Sequence, residues 1–122
     1  MAIWRPIPTA VQPALTLTKW SVREVPNIPG NGVDRVLVGY CVENREGRTS
    51  RPIKSIDLKA MVCTSESGRS YRLHGPPGDD PDAEYVFHSW CIINQVTQAV
   101  NVTDEVWQQH LQAITDDSSE TS

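Results

Sequence analysis

Apolar side chains alternate with polar or small ones along much of residues 15–75, which is the pattern of β-strands. The clearest alternation lies in residues 35–43 and leaves both faces apolar or small. A strand of that kind is covered on both sides, so we expect it to be central in its sheet. One face holds Val36, Val38, Tyr40 and Val42, and the other holds Leu37, Gly39 and Cys41.

Further strands are predicted on both sides of this central strand. Residues 15–25 alternate first in one phase and then in the opposite phase, which indicates a β-bulge near Thr18. The turn sequence at residues 44–47 predicts a hairpin that leads to a return strand within residues 53–58. A second hairpin is expected around residues 65–68, where Ser and Gly dominate.

The apolar period changes from two to about 3.6 residues after Gly75-Pro76-Pro77-Gly78, which ends the sheet. Asp79 or Asp80 caps a first helix with Pro81 in its first turn, and Thr103 caps a second helix. The first helix is apolar over so wide an arc that we expect it to be largely buried. That arc comprises Ala83, Val86, Phe87, Trp90, Cys91 and Asn94 with Ile92 and Ile93, and the arc of the second helix comprises Val106, Trp107, His110, Leu111 and Ile114.

Strands followed by helices are the order of an α+β fold. We predict an antiparallel sheet of four or five strands with two C-terminal helices packed on one face. The 122 residues suit a single domain. We place a proline-rich extended arm at residues 1–14, one α+β domain at residues 15–115 and a disordered acidic tail at residues 116–122. The expected members of one shared core are Trp20, Val38, Tyr40, Tyr71, Val86, Phe87, Trp90 and Trp107.

Charge is distributed unevenly along the chain. Residues 1–75 hold all eleven basic residues and six acidic ones, a net charge of +5. Residues 76–122 hold nine acidic residues and no Lys or Arg, a net charge of −9. The pattern indicates either an acidic part folded against a basic part or exposed faces that attract charged partners. Acidic residues at helix starts and in a solvated tail account for much of it without any partner.

The densest basic cluster lies in and after the first predicted hairpin. Arg side chains bind carboxylates and phosphates through paired hydrogen bonds, so the cluster suits an acidic protein or a nucleic acid. A solvated hairpin tip would carry the same charges. We predict a protein partner, because nine carboxylates repel a polyanion, and keep nucleic acid as the alternative. The candidate binding residues are Arg45, Arg48, Arg51 and Lys54, with Arg69 and Arg72 on a neighbouring strand.

The three cysteines are odd in number and irregularly spaced, which argues against a disulfide framework and favours a reducing cytoplasm. A Cys3His zinc shell is conceivable, but no two cysteines have the close spacing typical of zinc sites. Free cysteines are common in cores, so we predict no metal and no cofactor. The candidate ligands weighed for such a shell are Cys41, Cys63, His88 and Cys91.

The sequence lacks the common catalytic motifs, among them the P-loop, the dinucleotide fingerprint and the H-E-x-x-H metal motif. We therefore predict a non-enzymatic binding protein, with a small Cys/His enzyme as a third reading. No run of 18 apolar residues occurs, and the first residues lack the charged-then-apolar order of a signal peptide. We expect no membrane partner.

Several stretches are distinctive: Leu37-Val38-Gly39-Tyr40 through Arg45-Glu46-Gly47-Arg48, then Ser67-Gly68-Arg69-Ser70-Tyr71-Arg72-Leu73, then Gly75-Pro76-Pro77-Gly78 to Glu84-Tyr85 and Trp90. Together they resemble small uncharacterised proteins carried on bacterial mobile elements. The likeness spans residues 17–107. It implies a bacterial cytoplasmic setting and an accessory or anti-defence role, and it implies no site residue.

Overall fold

A computed structural model describes residues 12–26 and 32–120 of the chain. Within these ranges the protein has an α+β architecture, with seven strands in one mixed sheet and two helices near the C-terminus. The predicted fold class is therefore confirmed. The elements are β1 (Ala14–Pro26), β2 (Val33–Cys41), β3 (Glu46–Thr49), β4 (Ile53–Asp57), β5 (Val62–Ser65), β6 (Ser70–Leu73), α1 (Pro81–Ile93), β7 (Val100–Asn101) and α2 (Thr103–Glu120).

The strands follow the order β3-β2-β1-β6-β5-β4, and β7 pairs with Arg23 and Glu24 of β1. Neighbouring strands are antiparallel except β1 and β6, which are parallel. The prediction of a purely antiparallel sheet of four or five strands is thus only partly correct. Side-chain alternation has the same period in both kinds of pairing, so the pattern alone did not distinguish them.

The first strand is long and contains a bulge, and it pairs with β6 before the bulge and with β7 after it. Its pairing with β2 shifts register between Thr18 and Ser21, and Lys19 there has a φ of 48°. The predicted bulge is confirmed. The bulge returns Trp20 to the same buried side as Leu17, so both side chains enter one core. The Trp20 indole then donates a hydrogen bond of 3.0 Å to the carbonyl of Gly75.

The sheet has a separate apolar core on each face, and each helix closes one of them. Val22 pairs with Leu37 on the face that packs against Val106 of α2. Val36, the residue before Leu37 in β2, lies on the other face in a cluster with Phe87 of α1. Because successive strand residues point to opposite sides, the two helices lie on opposite faces. The prediction of one shared core with both helices on one face is wrong.

Local signals set where the helices begin, but not how deeply they are buried. Asp80 is the N-cap of α1 and accepts a hydrogen bond of 2.9 Å from the Ala83 backbone N–H, as predicted. The hydroxyl of Thr103 instead accepts a hydrogen bond of 3.0 Å from the Val22 backbone N–H, which ties the start of α2 to β1. The prediction that α1 is largely buried is wrong, because Ile92 and Ile93 are exposed.

The predicted arm and tail are only partly within the described residues. Residues 1–11 of the arm lie outside them, and Ala14 already belongs to β1. At the other end, α2 continues to Glu120, so most of the stretch predicted as a disordered tail is helical.

Candidate functional site

Two of the six candidate basic residues are buried. Arg48 on β3 is 9% exposed, and its side chain enters the core that contains Tyr71. The Arg48 Nε–H donates a hydrogen bond of 3.2 Å to the Tyr71 hydroxyl, and the guanidinium carbon lies 5.9 Å from that ring's centroid. Arg69 is 5% exposed and donates a hydrogen bond of 2.9 Å from Nε to the carbonyl of Gln12. Both side chains support the fold rather than present charge to a partner.

A third candidate is neutralised on the surface. Arg51 donates hydrogen bonds from Nε and Nη2 to one carboxylate oxygen of Glu66, at 3.3 and 3.0 Å. The remaining three are exposed on different elements. Arg45 lies in the turn between β2 and β3, Lys54 lies on β4, and Arg72 lies on β6. The fold thus splits the expected ridge into two buried residues, one ion pair and three separate surface cations.

Part of the uneven charge of the sequence is paired within the molecule. Arg23 on β1 forms an ion pair with Glu84 of α1, and its guanidinium carbon lies 5.0 Å from the Phe87 ring centroid. Arg35 on β2 pairs at 3.1 Å with Glu105 of α2. One acidic residue of each helix is therefore paired with a basic residue of the sheet, as the first of the two alternatives that the sequence left open would require.

Burial disfavours the thiolate form of all three cysteines. Cys63 is buried, and the loss of hydration raises the pKa of its thiol to about 12. Burial likewise raises the pKa of Cys41 and that of Cys91. Nucleophilic attack requires the thiolate, so this environment suits packing rather than catalysis. Among residues 12–26 and 32–120, no group of three or more His, Cys, Asp or Glu side chains is arranged to hold a metal ion.

The surface that sequence reasoning missed is the outer side of α1. Tyr85, Ile92 and Ile93 are 73%, 66% and 79% exposed. Tyr85 and Ile92 are seven residues apart, two helical turns, and so lie on one side. The opposite side of the same helix packs Ala83 and Phe87 into the core. The available signal was that the apolar residues of α1 extend beyond a single stripe, which is more apolar surface than one contact with a sheet covers.

This outer face sits on a firmly held helix. At the start of α1 the backbone of Ala83 packs directly on Gly47 of β3, where a Cβ atom would lie only 2.3 Å from the Ala83 nitrogen. Farther along, the rings of Phe87 and Trp90 stack with centroids 6.0 Å apart. The contact with Gly47 and the Arg23–Glu84 ion pair hold α1 on the sheet.

A cleft of about 540 Å³ opens where α1 ends. Trp90 lines it together with Arg51 and Glu66, which form an ion pair with each other. Asp34 contributes a second carboxylate. The cleft and the exposed isoleucines thus belong to the same end of the same helix. The residues of the described ranges that line it are Val25, Pro26, Asp34, Arg51, Pro52, Glu66, Trp90, Asn94 and Val96.

Comparison of the chain with known protein families, with curated proteins and with solved structures finds no match. Within the two described ranges, neither helix combines the length and the apolar character needed to cross a bilayer. A function for this protein therefore has to be inferred from its own surface.

Proposed function

We propose that this protein is a small binding domain that recognises another protein through the outer face of α1. The observation that carries the proposal is the exposure of Tyr85, Ile92 and Ile93 on a helix whose other side is core. Burying such side chains against a partner stabilises a complex by about 25 cal/mol per Å² of apolar surface removed from water. Clustered exposed apolar side chains typically mark interaction surfaces.

Charge around this face defines the chemistry of the partner. Asp82 is exposed in the first turn of α1, and residues 76–122 hold no Lys or Arg. We therefore propose a partner whose contact surface is apolar with basic residues at its rim, since complementary charge speeds association and excludes wrong partners. The nucleic-acid alternative lacks comparable support, because Arg48 and Arg69 are buried and Arg51 is paired.

The protonated thiols and the absence of catalytic motifs favour binding over catalysis as the activity of this chain. The setting that the sequence resemblance implies, an accessory or anti-defence factor in the bacterial cytoplasm, stays a prediction.

The proposal is tested by replacing Tyr85 with a photo-crosslinking amino acid, identifying the protein captured in cells, and producing that protein for binding assays. The double variant Tyr85→Ser/Ile92→Ser should weaken the purified complex by at least about tenfold. A matched control is Leu111→Ser/Ile114→Ser, which removes two exposed apolar side chains from α2 instead. We expect the control to bind like the unaltered protein.

Two results would contradict the proposal. One is an unchanged Kd for the folded Tyr85→Ser/Ile92→Ser variant, or equal losses in the α2 control. The other is concentration-dependent dimerisation of the isolated protein that Ile92→Ser abolishes, as measured by analytical ultracentrifugation. That second result would assign the face to another copy of this chain.

A further inference from the structure

The outer side of α1 has the residue spacing of a coiled-coil seam. Steps of three, four and three residues connect Asp82, Tyr85, Ser89 and Ile92. At 3.6 residues per turn, all four lie within an arc of about 80°. Phe87 lies on the opposite side of the helix, in the core. A narrow stripe of this spacing is the seam through which two helices pack, whereas a helix that covers a sheet presents a wider apolar arc.

The seam has a recess at its centre. Ser89 is half-buried and has a short side chain, while Tyr85 and Ile92, about one turn before and after it, are 73% and 66% exposed. His88 completes a set of four residues at positions i, i+3, i+4 and i+7. Four residues in this arrangement form the hole that receives one side chain of a facing helix. Because a tyrosine ring and an isoleucine form two of its walls, the hole suits an aliphatic side chain.

One end of the seam is acidic. Asp82 is exposed, and the ion pairs formed among residues 12–26 and 32–120 do not include it. The other acid of this turn, Glu84, is already paired with Arg23. The α1 helix of a second copy offers no match for Asp82, because α1 contains no Lys or Arg. Charge complementarity therefore indicates a helix of another protein, with a basic residue at the end that meets Asp82.

We propose that the outer face of α1 packs against one amphipathic helix of the partner protein, by the insertion of side chains into holes. The inference rests on the proposed function and names the structural class of its partner. An aliphatic side chain of that helix enters the recess over Ser89, and a Lys or Arg pairs with Asp82. The seam from Asp82 to Ile92 is about 15 Å long, so a partner helix of about three turns covers it.

Photo-crosslinking at several positions of α1 tests the helical partner directly. A crosslinking amino acid replaces Tyr85, His88 or Ile92 in turn, and mass spectrometry locates the partner residues that each one captures. The residues captured from Tyr85 and Ile92 should lie about seven apart in one segment, because the two positions are two helical turns apart. Captured residues in separate segments, or at the two-residue spacing of a strand, would overturn the inference. Gln108, exposed on α2, is the control position and should not capture this segment.

The recess is tested with a matched pair of substitutions in the purified complex. Ser89→Leu fills the hole and should weaken binding at least about tenfold, whereas Ser89→Ala leaves it open and should change Kd by less than about twofold. Leu and Ala are both strong helix formers, so circular dichroism should show that both variants are folded. Unchanged or tighter binding of a folded Ser89→Leu protein would refute the insertion at Ser89. The crosslinking positions decide the question without this variant if it does not fold.

The charge at the end of the seam has its own test. Asp82→Asn should weaken the complex about threefold at low salt and have less effect at high salt, because salt screens an exposed ion pair. Asp104→Asn is the matched control, since Asp104 is an exposed acid in the first turn of α2. It should leave Kd unchanged. Equal losses in the two variants would contradict the pairing of a basic residue with Asp82.

The two proposals fail separately. If Tyr85→Ser/Ile92→Ser weakens the complex but the captured residues do not lie in one helical segment, the docking proposal stands and only the inference about a helix is wrong. If neither that double variant nor Ser89→Leu changes Kd, the docking proposal itself is wrong. Crosslinks between two copies of this chain, with a dimer in analytical ultracentrifugation, would assign the seam to self-association and overturn both.

Discussion

The contact between Gly47 and α1 gives the sharpest prediction. Gly47 is buried on β3, and a Cβ atom added there would lie 2.3 Å from the nitrogen and 2.6 Å from the Cα of Ala83. Ordinary van der Waals contact begins near 3.4 Å, so Gly47→Ala is about 1 Å too close to the backbone of α1. No side chain can rotate away to relieve it. The first turn of α1 has to move outwards.

The expected cost follows from that displacement. Overpacking a well-packed site typically costs about 1–3 kcal/mol, and backbone atoms on both sides place this case at the upper end. Alanine also lowers the conformational entropy of the unfolded chain, which offsets this cost by about 0.4–1 kcal/mol. We therefore expect a net loss of about 2 kcal/mol. For 122 residues this corresponds to a decrease in Tm of about 8 °C, at roughly 2.1 cal/mol/K of unfolding entropy per residue.

Two further glycines calibrate the measurement with the same chemical change. At Gly78 the nearest atom to an added Cβ is the Lys19 Cα at 3.4 Å, and at Gly39 it is the Trp20 Cα at 3.1 Å. Urea unfolding should rank Gly47→Ala as the most destabilised, Gly39→Ala as intermediate and Gly78→Ala within about 0.5 kcal/mol of the unaltered protein. A Gly47→Ala protein as stable as Gly78→Ala would refute the packing of α1 on β3.

Three further predictions concern the buried polar groups. Tyr71→Phe removes the acceptor of the Arg48 Nε–H and should cost about 1–3 kcal/mol in urea unfolding, with most of the loss recovered in Arg48→Met/Tyr71→Phe. Iodoacetamide at pH 8 should label half-buried Cys91 well before buried Cys63, as peptide mass spectrometry would show; equal rates would contradict the burial of Cys63. Burial raises the pKa of Cys63 to about 12, whereas the same thiol in the unfolded chain has its ordinary pKa near 9. The stabilising contribution of this buried thiol is therefore fully present below pH 9 and is lost as the pH rises above it, because the unfolded thiol ionises first. Unfolding free energy should fall by up to about 1.4 kcal/mol per pH unit there, and Cys63→Ala should flatten that dependence.

Several elements could be predicted from the sequence because local chemistry determines them. Alternation along β2 showed that both of its faces are covered, and the change of phase in β1 revealed the bulge beside Lys19. Asp80 and Pro81 mark the start of α1. The Asp80 side chain accepts a hydrogen bond from a free backbone N–H of the first turn, and Pro81 has no backbone N–H that would be left without a partner there. Each of these signals acts within a few residues of the chain, so one sequence suffices to read it.

The candidate site could not be predicted in the same way. The sequence does not distinguish an arginine that lies in solvent from one that is buried. Arg45 is exposed, whereas Arg48 lies in the core and donates a hydrogen bond to a tyrosine hydroxyl. The same holds for the apolar side chains of α1, since a stripe predicts which residues prefer burial but not which side meets the sheet. The pattern therefore placed Ile92 and Ile93 on the apolar arc of a helix predicted to be largely buried, whereas both side chains are exposed.

The sequence by itself determined the α+β class, the doubly covered β2 and the bulge, because periodicity and turn chemistry are local. Only the tertiary structure decided that β6 returns parallel to β1, that the helices take opposite faces, and that Arg48 and Arg69 are buried. These features depend on contacts between residues far apart in the chain. Their free energies come from packing and desolvation in three dimensions, and a linear pattern does not carry that information.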